Sequence, residues 1–105
     1  MLELNKENFD AEVLQSADKI LVFFTADSWA PCQAIKPFVA DCSEKYGDKL
    51  KFAKLDTGNA KRLAMSQKVM SLPTLAIYEG GQKVETILKD GVTEAGIEEL
   101  IKRHI

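Results

Sequence analysis

The chain has 105 residues, 14 Lys+Arg against 16 Asp+Glu and a net charge of -2. That length suits one domain, and 46% hydrophobic with 29% charged residues is the composition of a globular chain, not a disordered one. Near-neutral charge without a basic stripe argues against a nucleic-acid binder. The longest fully apolar stretch, Ile20 to Phe24, falls far short of the roughly 20 residues of a membrane span. Two cysteines, Cys32 and Cys42, are too few for a disulfide scaffold. With no basic-then-apolar leader visible, the chain reads as cytoplasmic.

Met1 to Leu4 is a short apolar start. Asn5 can cap a helix across Glu7 to Ser16, where Phe9 and Val13 give the helical period. Lys19 to Thr25 is a short, largely β-branched and aromatic run, the pattern of a strand buried on both faces. Pro31 to Tyr46 turns helical, with Ile35, Phe38, Val39 and Cys42 on its apolar side. Pro37 should kink it, and Gly47 should end it in the left-handed conformation usual for a helix-terminal glycine. A second buried strand follows at Leu50 to Asp56, then a short helix from Asn59 to Gln67. Leu72-Pro73-Thr74 leads into a strand at Leu75 to Tyr78. Gly80-Gly81 predicts a tight turn and Gln82 to Leu88 the return strand. Thr93 caps a last amphipathic helix carrying Ile97, Leu100 and Ile101. The order β-α-β-α-β-α-β-β-α predicts parallel crossovers with one antiparallel pair at the Gly-Gly turn. The fold class is α/β.

The segment Phe24-Thr25-Ala26-Asp27-Ser28-Trp29-Ala30-Pro31-Cys32 carries the chemistry. A strand ends, a turn follows, and a cysteine lies at a helix start, where backbone N–H groups and the helix dipole favour a thiolate. Disulfide exchange there needs two thiols three residues apart, an outer one to attack and an inner one to resolve the mixed disulfide. The inner position is Cys32; the outer position is Trp29.

These residues resemble the thioredoxin family over essentially the whole chain. Phe24 to Cys32 lies ungapped on the family's F-x-A-x-W-C-G-P-C. Pro37 matches its kinking proline, Leu72-Pro73-Thr74 its I-P-T, and Lys54 a lysine beneath the active site. The resemblance implies a thioredoxin fold over residues 1–105, with a mixed sheet of about five strands flanked by four helices. It implies a cis Leu72–Pro73 bond and a thiol–disulfide oxidoreductase that reduces protein disulfides without cofactor or metal. Cys32 and position 29 would be catalytic; Ala30, Pro31, Leu72, Pro73 and Thr74 would bind substrate; Lys54 and Phe23 would support. Partners would be disulfide-containing proteins and a thioredoxin reductase. The chain also resembles the thioredoxins of anaerobic amino-acid fermenters, which adds glycine reductase as a partner, and it would act as a monomer.

The departures are specific. Trp29 replaces the attacking cysteine and Ser28 the tryptophan before it. Phe23 replaces a buried aspartate, which removes from Lys54 its usual acid partner. Ser71 replaces a glycine, and Gly91 is the candidate for the family glycine after the last strand. Cysteine, tryptophan and selenocysteine/stop codons differ only in their third base. A natural, an engineered and a recoded Trp29 are therefore all open. Three readings follow: an oxidoreductase impaired at position 29, a redox-inactive peptide-binding module, and a monothiol enzyme using Cys32. Trp29 is expected to be exposed at the lip of the site, beside Pro73. Cys42 is expected in the core, roughly 15 Å along the helix from Cys32 and beyond disulfide reach. His104 is expected to be solvated, and Gln82-Lys83 and Lys89-Asp90 to be ordinary exposed positions.

Overall fold

A computed structural model describes all 105 residues. Five strands form one sheet in the order β1-β3-β2-β4-β5: Leu2–Leu4, Lys19–Thr25, Lys51–Asp56, Thr74–Glu79 and Gln82–Leu88 in chain order. The helices are α1 (Ala30–Tyr46), α2 (Lys61–Ser66) and α3 (Glu94–Lys102), with a π-helical turn at Asp10–Leu14. The Cα radius of gyration is 12.3 Å. No helix is long and apolar enough to cross a membrane.

β2 is central because it is apolar on both faces. Ile20, Val22 and Phe24 point into one core, closed by Phe9 and Val13 of the first helical segment and by Ala64 of α2. Leu21 and Phe23 point into the other, closed by Val39 and Cys42 of α1 and by Ile97, Leu100 and Ile101 of α3. The first helix is shorter than its periodicity suggests. Asn5 does cap the entry, its side chain accepting from the N–H groups of Glu7 and Asn8, but the regular part is one wide turn closed by Gln15 N–H to the Asp10 carbonyl.

The sheet holds two antiparallel pairs, not the one expected. β1 and β2 run parallel to β3, while β4 runs antiparallel to both β2 and β5. The six residues of α2 rise only about 9 Å, less than half the roughly 20 Å of a six-residue strand. The chain therefore re-enters the sheet at the end where it left: Phe24 pairs with Leu55 on one side and with Thr74 on the other.

One glycine acts differently from expectation. Gly47 is right-handed (φ -64°), and a Cβ there would run into the Ser43 carbonyl, so close approach, not handedness, requires it. Gly80 and Gly81 both have positive φ, as a two-residue hairpin needs. Gly96 lies one turn into α3 against the Gly91 carbonyl, while Gly91 itself has room for a side chain. α2 ends in a Schellman motif, with Val69 N–H to the Ala64 carbonyl and Lys68 N–H to the Met65 carbonyl. Lys68 occupies its left-handed position at φ 61°.

Two surface expectations are corrected. His104 is mostly covered, its Nε2 lying 2.7 Å from Glu85 Oε1 beside Arg103. Lys83 is half-buried because a bulge between Ile77 and Tyr78 sets it opposite Tyr78, where its ammonium donates to the Gln67 carbonyl.

Candidate functional site

The site lies where three elements end together. β2 ends at Thr25, the turn Ala26 to Ser28 follows, and α1 starts at Ala30 with Trp29 as its cap. The Trp29 N–H donates to the Ala26 carbonyl at 2.9 Å, which closes the turn. Its extended backbone (φ -88°, ψ 123°) then lets its own carbonyl accept from the N–H groups of Cys32 and Gln33, both at 3.0 Å. Pro31 fits the first turn because its missing N–H would have no helical partner there. Asp27 is tied to the helix it precedes: its carbonyl accepts from the Gln33 side chain at 2.8 Å and its carboxylate faces Lys36 at 3.6 Å.

This frame fixes opposite fates for positions 29 and 32. The indole of Trp29 stands 54% exposed, as expected for the outer position. Cys32 is 1% exposed, and its Sγ accepts from the Ala26 N–H at 3.5 Å. The two positions are three residues apart, Trp29 as the cap of α1 and Cys32 within its first turn. One sulfur is present at the site, and it is closed to solvent.

The proline arrives by register. Thr74 pairs with Phe24 in the antiparallel ladder, so one further step sets Pro73 across from Thr25, next to the residue whose N–H meets Cys32 Sγ. The Leu72–Pro73 bond is cis, as expected. Pro73 is buried, Leu72 is half-buried, and the Thr74 hydroxyl donates to the Ser71 carbonyl at 2.7 Å. Ala30 and Pro31 are exposed at the start of α1.

Beneath the site, Phe23 is fully buried between Lys54 of β3 and Leu75 of β4. Lys54 is not without an acid partner: Glu3, its neighbour in β1, brings Oε1 to 3.5 Å from its Nζ. Sequence reading missed this pair because the partner is fixed by the β1–β3 register, fifty residues distant in the chain. Both residues line a polar cleft of about 490 Å³ that also holds Asp27 and Asp56. The Thr25 hydroxyl, close by, is buried without a hydrogen-bond partner.

The second cysteine takes no part in this arrangement. Cys42 is 3% exposed in the core under α1 and α3, and both cysteines are free. Burial, helped by the Glu98 carboxylate, pushes the Cys42 thiol up to about 11. Glu98 bridges α3 to α1, accepting from the Tyr46 hydroxyl at 2.5 Å and facing Lys45 at 3.5 Å. That hydroxyl, together with Lys45, holds the Glu98 carboxyl below the usual range.

The thioredoxin family model matches residues 1–103. The chain is 42% identical over 105 residues to a thioredoxin of Acetoanaerobium sticklandii, covering all of both. It is 42% identical to a thioredoxin of Peptoclostridium acidaminophilum, over all of this chain and 96% of the relative. It is 34% identical to a chloroplastic M-type thioredoxin of Chlamydomonas reinhardtii, over 97% of this chain and 72% of the relative. Among solved structures, Plasmodium falciparum thioredoxin superposes with a TM-score of 0.90 at 25% identity over all of both chains.

Proposed function

The chain belongs to the thioredoxin family, and on that premise we propose that position 29 is where a thioredoxin attacks a substrate disulfide, that Cys32 is the resolving thiol, and that Trp29 disables the exchange. The family's activity is thiol–disulfide exchange on protein disulfides, with thioredoxin reductase as the source of electrons. In the full reaction an outer thiolate attacks one sulfur of the substrate disulfide, forming a mixed disulfide and releasing the other sulfur as thiolate. The inner thiol, deprotonated, then attacks the outer sulfur. The substrate leaves as a dithiol and the protein keeps the disulfide.

The observation that carries this reading is the pairing of an exposed position 29 with a buried Cys32 one turn behind it. An exposed outer group can be reached by a protein substrate; a covered inner one is reached only from the outer position. An indole has no nucleophilic sulfur, so the first step is missing. Ala30, Pro31, Leu72, Pro73 and Thr74 form the surface on which an extended substrate segment lies, with backbone groups beside Pro73 as its partners. Phe23 leaves the inner thiol without a buried acid, and Lys54 is engaged by Glu3. The protein works as one domain and as a monomer. Two free, buried cysteines suit a reducing cytoplasm. Glycine reductase is the partner that the resemblance to anaerobic thioredoxins adds.

The test is an insulin disulfide-reduction assay with dithiothreitol as reductant. Trp29→Cys is expected to reduce insulin well above the uncatalysed rate while the chain as written stays at it. If both folded proteins remain at the uncatalysed rate, the oxidoreductase reading fails and a peptide-binding role replaces it.

A further inference from the structure

A second concave site lies between the loop that follows α2 and the edge strand β5. It encloses about 270 Å³, and three lysines, Lys68, Lys83 and Lys89, line it with the hydroxyl residues Ser71, Thr74 and Thr86. Met70 and Leu88 complete the wall, and no acidic residue contributes to it. Three lysines thus line one pocket in a chain whose net charge is -2. We propose that this pocket binds a compact oxyanion of the phosphate class, either free phosphate or a small phosphomonoester. The proposal does not depend on what occupies position 29.

The lysines have no internal counter-charge. The ion pairs of the chain engage Lys19, Lys36, Lys45, Lys51, Lys54, Arg103 and His104, and none of the three pocket lysines. Glu85, one residue from Thr86, is already held by Arg103 at 2.5 Å and by His104 at 2.7 Å. Burial and the nearby Lys68 charge hold the Lys83 ammonium below its usual range; its one internal partner is the neutral Gln67 carbonyl, so the like charges meet here with no counter-charge. An anion would relieve them.

The backbone adds an independent observation. Lys68 (φ 61°) and Lys89 (φ 53°) are the two residues other than glycine with positive φ in the chain, and both line this pocket. The Schellman turn explains why position 68 is left-handed, but glycine would fill that position without strain. Strain held at a cluster of like charges is the pattern of a ligand site. Lysine binds phosphate as a point charge, and the Ser71 and Thr86 hydroxyls supply directed donors, the Thr74 hydroxyl being already spent on the Ser71 carbonyl. A concave pocket fits a small ligand better than the flat face of a protein partner.

The experiment titrates inorganic phosphate into the ¹⁵N-labelled chain at constant ionic strength, with chloride as control. Saturable shifts are expected at the amides of Lys68, Ser71, Lys83, Thr86 and Lys89, with a midpoint on the order of 1 mM. The double variant Lys68→Gly with Lys89→Gly is expected to melt at a higher temperature yet bind phosphate at least about tenfold more weakly. Lys83→Gln should weaken binding similarly. Glycerol phosphate in a parallel titration identifies the source: tighter binding than phosphate indicates a phosphomonoester, equal or weaker binding indicates the free ion. Shifts that stay linear in phosphate, as in chloride, would overturn the proposal. So would a double variant that binds as the parent does, or saturation by a glutamate-rich peptide but not by phosphate, which would assign the lysines to an acidic protein partner.

Discussion

Restoring the missing acid beneath the site should damage the protein. Phe23→Asp replaces a fully buried ring in the core beneath α1 and α3. Losing the ring costs about 3–5 kcal/mol, and an incompletely paired polar group in its place adds about 1–3 kcal/mol. Lys54 is the adjacent cation on β3, but it is paired with Glu3, and a rearranged pair near the surface returns about 1 kcal/mol at most. A net loss of about 4 kcal/mol is expected, against the roughly 5–15 kcal/mol that stabilises a domain of this kind. The loss should depend on pH. Burial raises a carboxyl above its unfolded value of about 3.9. Stability is then fullest below that value and falls as pH rises through the folded value. Urea unfolding measures this: the midpoint should drop by about 2 M at neutral pH and by less at about pH 4. A midpoint within about 0.5 M of the parent at both pH values would refute the reasoning.

Other outcomes follow from particular contacts. Gly96→Ala should cost about 2 kcal/mol in urea unfolding, because its Cβ meets the Gly91 carbonyl and crowds the Thr93 hydroxyl that caps α3. Gly91→Ala should change stability by less than about 0.5 kcal/mol, since the nearest atom is 3.8 Å away. Glu98 has a lowered pKa because the Tyr46 hydroxyl, and secondarily Lys45, favour its ionised form. Its contribution is complete above the unfolded glutamate value and is lost as pH falls through the lower folded value. Glu98→Gln should accordingly flatten the acid limb of the stability–pH curve measured by thermal melting. Trp29 is the single tryptophan, so acrylamide should quench the fluorescence of the folded chain efficiently; quenching far below that of the unfolded chain would contradict its exposure.

Local chemistry made most elements legible before the structure. The run Ile20 to Phe24 is short, apolar at every position and rich in β-branched and aromatic residues, the pattern of a strand covered on both faces, and Gly80-Gly81 marks the β4–β5 hairpin directly. The frame of the candidate site was legible for a similar reason: Pro31 and Cys32 at the helix start and the cis Leu72–Pro73 bond sit in short motifs whose geometry is local. What escaped depends on distant chain. The direction of β4 follows from how far α2 carries the chain, and the Glu3–Lys54 pair from strand register. Lys83 was read as exposed because the bulge that turns it inward leaves no mark in the sequence. The close approach of Gly96 to the Gly91 carbonyl left no mark either, because it depends on how the cap of α3 packs.

The central claim is that position 29 and Cys32 form one redox pair. It is tested most directly by equilibrating Trp29→Cys in buffers of graded dithiothreitol redox poise, then counting free thiols in the unfolded, unreduced monomer. A reversible loss of two thiols in a single two-electron step is predicted, with Cys42 remaining free and the parent chain keeping both of its thiols throughout. A variant monomer that keeps all its thiols up to the oxidising limit, while folded like the parent, would contradict the claim.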